Sequence, residues 1–225
     1  MSDALRRAVE VMDRLRSPGG CPWDAEQTSR SLTRYLLEET YEVLEAIETD
    51  DAALLREELG DLLLQVLFHA RISEELPPAQ AFGIDEVAGD LVDKLVRRHP
   101  HVFGDAKAGS AAELDDTWER QKAVEKGRDS ATDGIPLNQP ALALAAKLVA
   151  RATRAGVDER AAGSAVQLAA PTQPDAAAAA DAEIGGRLLA VVQDAVRAGI
   201  DPEGALRRTA GRYRAGVLAA EREAD

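Results

Sequence analysis

Leu36-Leu37-Glu38-Glu39-Thr40-Tyr41-Glu42 and, beyond a break at Asp50-Asp51, Leu55-Arg56-Glu57-Glu58-Leu59-Gly60-Asp61-Leu62-Leu63 decide the fold. Leu36, Leu37, Leu44 and Ile47 in the first segment recur at three- and four-residue spacing, as do Leu55, Leu59, Leu62, Leu63 and Val66 in the second. That period predicts two helices, each burying one face. Asp50-Asp51 marks the short turn of a helical hairpin. Residues three apart are neighbours on a helix surface, so Glu39 with Glu42, and Glu58 with Asp61, each form a two-carboxylate pincer. Antiparallel packing would bring the pincers together, although the spacing alone does not require it.

Ten acidic side chains and a single basic one, Arg56, lie between Glu38 and Asp61. Such a density self-repels unless cations or water relieve it. Carboxylate oxygens suit a hard divalent cation, and magnesium held by few protein ligands keeps positions for waters and substrate phosphates. Phosphate chemistry is therefore the first expectation. The competing reading is a solvated acidic face, the ordinary fate of a charge run on a helix. Two pincers beside long apolar stripes favour the metal. Gly60 adds a hint, because an interior helical glycine costs about 1 kcal/mol and could admit a close backbone or ligand.

Three further segments accompany the hairpin: Gly20-Cys21-Pro22-Trp23-Asp24 with Gln27-Thr28, then Lys94-Leu95-Val96-Arg97-Arg98-His99-Pro100-His101-Val102-Phe103, then Trp118-Glu119-Arg120-Gln121-Lys122. With the Glu-Glu-x-x-Glu and Glu-x-x-Asp clusters, they make the chain resemble a MazG-type nucleoside triphosphate pyrophosphohydrolase over roughly its first 125 residues. The resemblance implies Glu39, Glu42, Glu58 and Asp61 as metal ligands, with Glu38 nearby in an outer position or as a base orienting water. It implies magnesium-dependent hydrolysis between the α and β phosphates of a nucleoside triphosphate, giving a monophosphate and pyrophosphate; manganese also accepts such ligands. Trp23, Gln27, Lys94, Arg97, Arg98, Trp118 and Lys122 are the implied substrate contacts.

Each of these has a structural alternative. Lys94, Arg97 and Arg98 precede the His99-Pro100 boundary where a helix should stop, so they could simply complement its dipole. Trp23 could be ordinary buried packing. Asp24 with Gln27 resembles a capping box. Trp118 and Lys122, one turn apart, could together meet a base and a phosphate. His69 reads as a packing or interface residue, and His99 and His101 flank Pro100 in an extended stretch. A di-iron carboxylate bundle is disfavoured by the lack of any Glu-x-x-His. The lack of Gly-x-x-x-x-Gly-Lys-Ser/Thr excludes a P-loop.

Strand signals are scarce and the expected fold is all-α: a MazG-like helical bundle in tandem-repeat arrangement, its hairpins forming a four-helix-type core. A net charge of −13 disfavours nonspecific nucleic-acid binding. The single cysteine, Cys21, precludes an intramolecular disulfide. With neither a membrane-length apolar run nor a signal-peptide pattern, a cytoplasmic enzyme without membrane contact is expected. The expected domains are 1–128, catalytic; 129–140, a Gly/Pro-containing linker; and 141–225, a degenerate copy. Shifting by 126 places Gly60 on Gly186, Leu62-Leu63 on Leu188-Leu189, Val66 on Val192 and Arg71 on Arg197. Gly83-Ile84-Asp85 then recurs as Gly199-Ile200-Asp201, and a basic group recurs at Arg207, Arg208, Arg212 and Arg214. In that register Glu39, Glu42, Glu58 and Asp61 become Ala165, Leu168, Ile184 and Arg187, which cannot hold magnesium. The alanine-rich 161–182 stretch, broken by Pro171 and Pro174, is expected to be disordered or loosely helical.

By resemblance the hairpins pair between two chains, so a homodimer is expected, with pairing of the repeats within one chain as the alternative. Two other functional readings are a base-selective deoxyuridine or deoxycytidine triphosphate pyrophosphatase of the same superfamily, and a non-catalytic helical scaffold or regulator. Housecleaning of the nucleotide pool is the implied role of the favoured enzyme.

Overall fold

The computed structural model describes residues 3–107, 109–158 and 176–224. Among them the regular structure is entirely helical. The chain divides into two compact units, 1–114 and 115–225. No described helix is long and apolar enough to cross a membrane.

In the first unit, helices α1 (Asp3–Arg16), α3 (Ser29–Glu48), α4 (Ala52–Ser73) and α5 (Ile84–Arg98) share a core. Met12, Leu32, Leu67 and Phe68 form its centre, with Leu15, Tyr35, Leu63, Ile72 and Ile84 packed around them. The hairpin forms as the periodicity predicts. Asp50 takes a positive φ of 55° at the turn. Asp51 caps α4, its carboxylate accepting from the Ala53 and Leu54 amides at 3.0 Å, which satisfies donors that a helix N-terminus would otherwise leave unpaired.

One structural alternative falls and one local expectation is corrected. The Gly20–Thr28 segment is not an Asp24–Gln27 capping box: Pro22 starts a separate short helix, α2 (Pro22–Glu26), and Asp24 lies inside it. The box sits one turn later, where Thr28 and Ser31 cap α3 reciprocally. His99 and His101 do not flank an extended stretch either. Proline suits the first turn of a helix, and Pro100 opens the one-turn helix α6 (Pro100–Phe103) directly after α5 ends at Arg98.

Gly20 is needed for close approach. A Cβ there would fall inside the van der Waals envelope of the Leu15 and Arg14 carbonyl oxygens, because the chain folds back so that the Cys21 amide reaches Leu15 O at 2.7 Å. Backbone cannot yield as a flexible side chain can. Gly20→Ala should therefore destabilise the first unit by about 1–3 kcal/mol, measured by urea unfolding.

The second unit contains most of α7 (Ala111–Glu125), then α8 (Ala141–Arg154), α9 (Ala176–Arg197) and α10 (Pro202–Ala224), with α8 packed against both α9 and α10. Val192 and Ile135 are its buried apolar residues among those described. Of the alanine-rich 161–182 stretch, 161–175 lies outside the described residues and 176–182 is helical.

Candidate metal and nucleotide site

The antiparallel packing of α3 on α4 brings the pincers together. Glu39 from α3 and Glu58 and Asp61 from α4 each present a carboxylate oxygen within 4.8 Å of the others. Glu42, outside that trio, lies near enough that its side chain helps raise the pKa of both Glu39 and Glu58. Glu58 is buried and Glu39 and Asp61 are half-buried, so the repulsion among them is poorly screened by water.

The consequence is a strongly perturbed titration. Burial, then the Glu42 hydrogen bond, then the charges of Asp61, Glu42 and Glu58 push Glu39 up to about 7 from an ordinary value of 4.5. Burial and the charges of Glu42, Asp61 and Glu57 also raise Glu58. Without a cation the cluster therefore holds protons that ordinary carboxylates would have released. The donor set fits a hard divalent cation: all are oxygens, they come from two mutually braced helices, and their repulsion is what a positive ion relieves. Glu38 is adjacent in sequence but exposed, since a one-residue step rotates it away from Glu39 on the helix.

The remaining sequence candidates are placed as follows. Trp23 is not the buried packing residue its type suggests. It is 49% exposed, held edge-on by Tyr35 at 6.0 Å and Phe68 at 6.4 Å between ring centroids. Gln27 is held too, its amide donating to Trp23 O at 2.9 Å and its carbonyl accepting from the Ser31 hydroxyl at 2.7 Å. Lys94 and Arg97 are exposed on α5, and Arg98 is half-buried at its end. Trp118 and Lys122, in the second unit, meet each other: the ammonium lies 4.0 Å from the indole centroid and also pairs with Glu119 at 2.5 Å.

Arg16 was not legible as a site-building residue. Its guanidinium donates to both carboxylate oxygens of Glu75 at 2.8 Å and to the carbonyls of Asp24 at 2.6 Å and Gln27 at 3.0 Å. It thereby fixes the short segment carrying Trp23 and Gln27. The only local sign is a basic residue in the last turn of α1.

Gly60 lies between Glu58 and Asp61, yet a Cβ there would meet nothing within 4 Å. The close approach that an interior glycine hints at is absent among the described residues. Gly60→Ala should stabilise the chain by about 0.5–1 kcal/mol in thermal or urea unfolding, by helix propensity alone.

A profile described as the MazG nucleotide pyrophosphohydrolase domain matches residues 27–103, which contain the whole carboxylate cluster. An uncharacterized 26.1 kDa protein of Streptomyces cacaoi is 51% identical over 218 residues, 96% of this chain and 82% of that protein. The nucleoside triphosphate pyrophosphohydrolase of Mycolicibacterium smegmatis is 52% identical over 161 residues, 69% of this chain; the match spans 48% of that protein's length, so the relative is much longer. The Thermotoga maritima protein named nucleoside triphosphate pyrophosphohydrolase/pyrophosphatase MazG is 38% identical over 212 residues, 91% of this chain and 80% of its own length. With the acidic hairpin at the centre of the matched region and this coverage of the Thermotoga protein, the chain belongs to the MazG nucleotide pyrophosphohydrolase family.

Proposed function

We propose that this chain hydrolyses nucleoside triphosphates between the α and β phosphates, releasing a nucleoside monophosphate and pyrophosphate, with magnesium held by Glu39, Glu42, Glu58 and Asp61. The observation that carries this reading is the convergence of carboxylate oxygens from α3 and α4 within 4.8 Å. A bound divalent ion would neutralise triphosphate oxygens and lower the pKa of a coordinated water. The chain's own residues do the rest. Buried Glu58 and its neighbours fix the donor geometry, and Trp23, half exposed and braced by two aromatic edges, offers a ring face to a base. Lys94, Arg97 and Arg98 supply cations on α5 for the phosphates. Trp118 and Lys122 are proposed as nucleotide contacts on the strength of the motif alone.

Incubation with a panel of nucleoside triphosphates and magnesium, followed by product separation, tests the reading. Pyrophosphate with monophosphate is expected, and the relative rates give base preference. Orthophosphate would move cleavage to another bond and overturn it; no turnover across the panel would favour the scaffold.

We further propose homodimerisation through the hairpin. Leu37, Tyr41, Ile47, Leu59 and Val66 on α3 and α4 are each at least 40% exposed, a density of large apolar groups that suits a second copy of the same surface. Sedimentation as a 24.0 kDa species would exclude it. The degenerate second repeat remains our reading of residues 141–225. Ile184 and Arg187 are exposed on α9 where Glu58 and Asp61 would fall, and activity is assigned to the first domain alone.

Cation binding should be coupled to protons. Glu39 releases a proton near pH 7 rather than 4.5, so a cation competes with that proton below neutrality. Magnesium titrations in two buffers of different ionisation enthalpy should show proton release at pH 6.5 that fades by pH 8.5. Release independent of pH over that range would contradict the cluster as the ligand set.

A further inference from the structure

A second concave site lies wholly within residues 119–155, on a different set of residues from the carboxylate cluster. A cavity of about 450 Å³ opens between the end of α7, the 128–131 loop and the end of α8. Its wall carries four guanidinium groups, Arg120, Arg128, Arg151 and Arg154, against two carboxylates, Glu119 and Asp129. In a chain of net charge −13, such a concentration of cations focuses a positive potential that the composition as a whole opposes.

Four guanidiniums share two carboxylates in this wall, and both Arg151 and Arg154 act electrostatically on Glu119. Arg151 donates to a neutral acceptor, Asp133 O, at 2.8 Å, which keeps its charge. Arg154 pairs with Asp115 at 2.5 Å at the exposed edge. Arg128 is the informative one. Its side chain is only 13% exposed, its Nη1 lies 3.9 Å from Glu119 Oε2, and its Nε is buried with no hydrogen-bond partner. At 3.9 Å the pair is an ionic contact rather than a hydrogen bond. Glu119 is already engaged by Lys122 at 2.5 Å. A buried guanidinium N–H without an acceptor costs about 1–3 kcal/mol, more for a charged group, so the Arg128 charge is held in the wall at a cost to the fold.

We propose that this cavity is a binding site for a diphosphate group, either free pyrophosphate or the diphosphate of a nucleotide. Planar guanidinium groups match phosphate oxygens bidentately, and four of them, Arg120, Arg128, Arg151 and Arg154, line one cavity. Two linked phosphates suit several separated guanidiniums better than one phosphate does. The rest of the wall is largely small side chains, Ala155 among them, which leaves room for a compact anion without an aromatic platform for a base.

Calorimetric titration of the full chain with sodium pyrophosphate in EDTA tests this, because no cation is then available to bring the anion to the carboxylates. Saturable binding at one site per chain is expected, with orthophosphate at least tenfold weaker. Arg128→Gln should weaken pyrophosphate at least tenfold. So should Ala155→Glu, an exposed position where a carboxylate would repel the anion, and this variant decides the matter if Arg128→Gln does not fold. Glu58→Gln should bind as the parent does. ADP titrated in parallel separates the sources: tighter ADP binding assigns a nucleotide, tighter pyrophosphate the free anion. The site is overturned by no saturable binding of either ligand, by binding unchanged in both variants, or by binding abolished in Lys94→Gln, which would put the anion on α5.

Discussion

Glu58→Gln should lower pyrophosphate release by at least about 100-fold while raising the melting temperature of the cation-free protein. The two effects have one cause. Glu58 is 8% exposed, and burial with the charges of Glu42, Asp61 and Glu57 raises its pKa. Glutamine keeps the shape and removes the charge. The cluster then lacks an anionic ligand for a cation, and equally lacks one source of the repulsion that a cation would otherwise relieve. The pH dependence has a definite sign. A carboxyl whose folded pKa is raised contributes most to stability below its ordinary value near 4.5, and that contribution is lost as pH rises through the folded value, about 7 for Glu39. The cation-free parent should therefore melt lower at pH 8 than at pH 5.5 through this cluster, and the advantage of Glu58→Gln should be larger at pH 8. Magnesium should raise the parent's melting temperature at pH 8 and that of the variant much less. Loss of activity with a lowered melting temperature would instead mean that the variant damages the fold, and the stability argument would be wrong.

What was readable in the sequence follows from which interactions are local. The α3–α4 hairpin was readable because its apolar period, its Asp50-Asp51 turn and its acidic pincers all lie within about one helical turn of the residues they affect. Whether the pincers faced one another was not readable, since that depends on the rotation of each helix about its axis, set by Leu32, Leu67 and Phe68 in the shared core. The capping-box alternative at Asp24–Gln27 gives way to Thr28–Ser31 because both pairs offer suitable side chains, and Pro22 claims the first for its own short helix. His99–His101 was misread for a similar reason: proline stops one helix and can equally open the next. Buried packing was the structural alternative for Trp23, and it falls because a position on a five-residue helix gives the ring only two aromatic edges to lean on. The arginine-lined cavity left almost no mark in sequence, because Arg128 and Arg151 come from a loop and a helix separated by the 129–140 connection.

Arg16→Ala should destabilise the first unit by about 2–3 kcal/mol and raise KM for the nucleotide more than it lowers kcat. Arg16 is 7% exposed at its side chain and makes two hydrogen bonds to Glu75 and two to backbone carbonyls. Alanine removes all four and leaves the Asp24 and Gln27 carbonyls to find water. Glu75 is 45% exposed and keeps Arg71 Nη1 at 3.1 Å from its Oε1, so its charge stays partnered, which keeps the cost below that of a fully buried broken pair. Lysine should recover little, because a single ammonium cannot span a carboxylate fork and two carbonyls at once. The hydrogen bond from Arg16, supported by the charges of Arg16 and Arg71, holds the Glu75 carboxyl below its ordinary value against the opposing effect of burial. That part of the stabilisation is present above the unfolded value and is lost as pH falls through the folded one, so the gap between parent and variant should narrow in acid. In a Trp118→Phe background, fluorescence-detected unfolding reports Trp23 alone and hence this unit. The KM effect separates positioning from mere stability: Arg16 anchors the carbonyls on either side of Glu26, and with them the half-exposed ring of Trp23. A variant that melts earlier yet keeps the parental KM below its melting range would show that Arg16 braces the helices without placing the nucleotide contact.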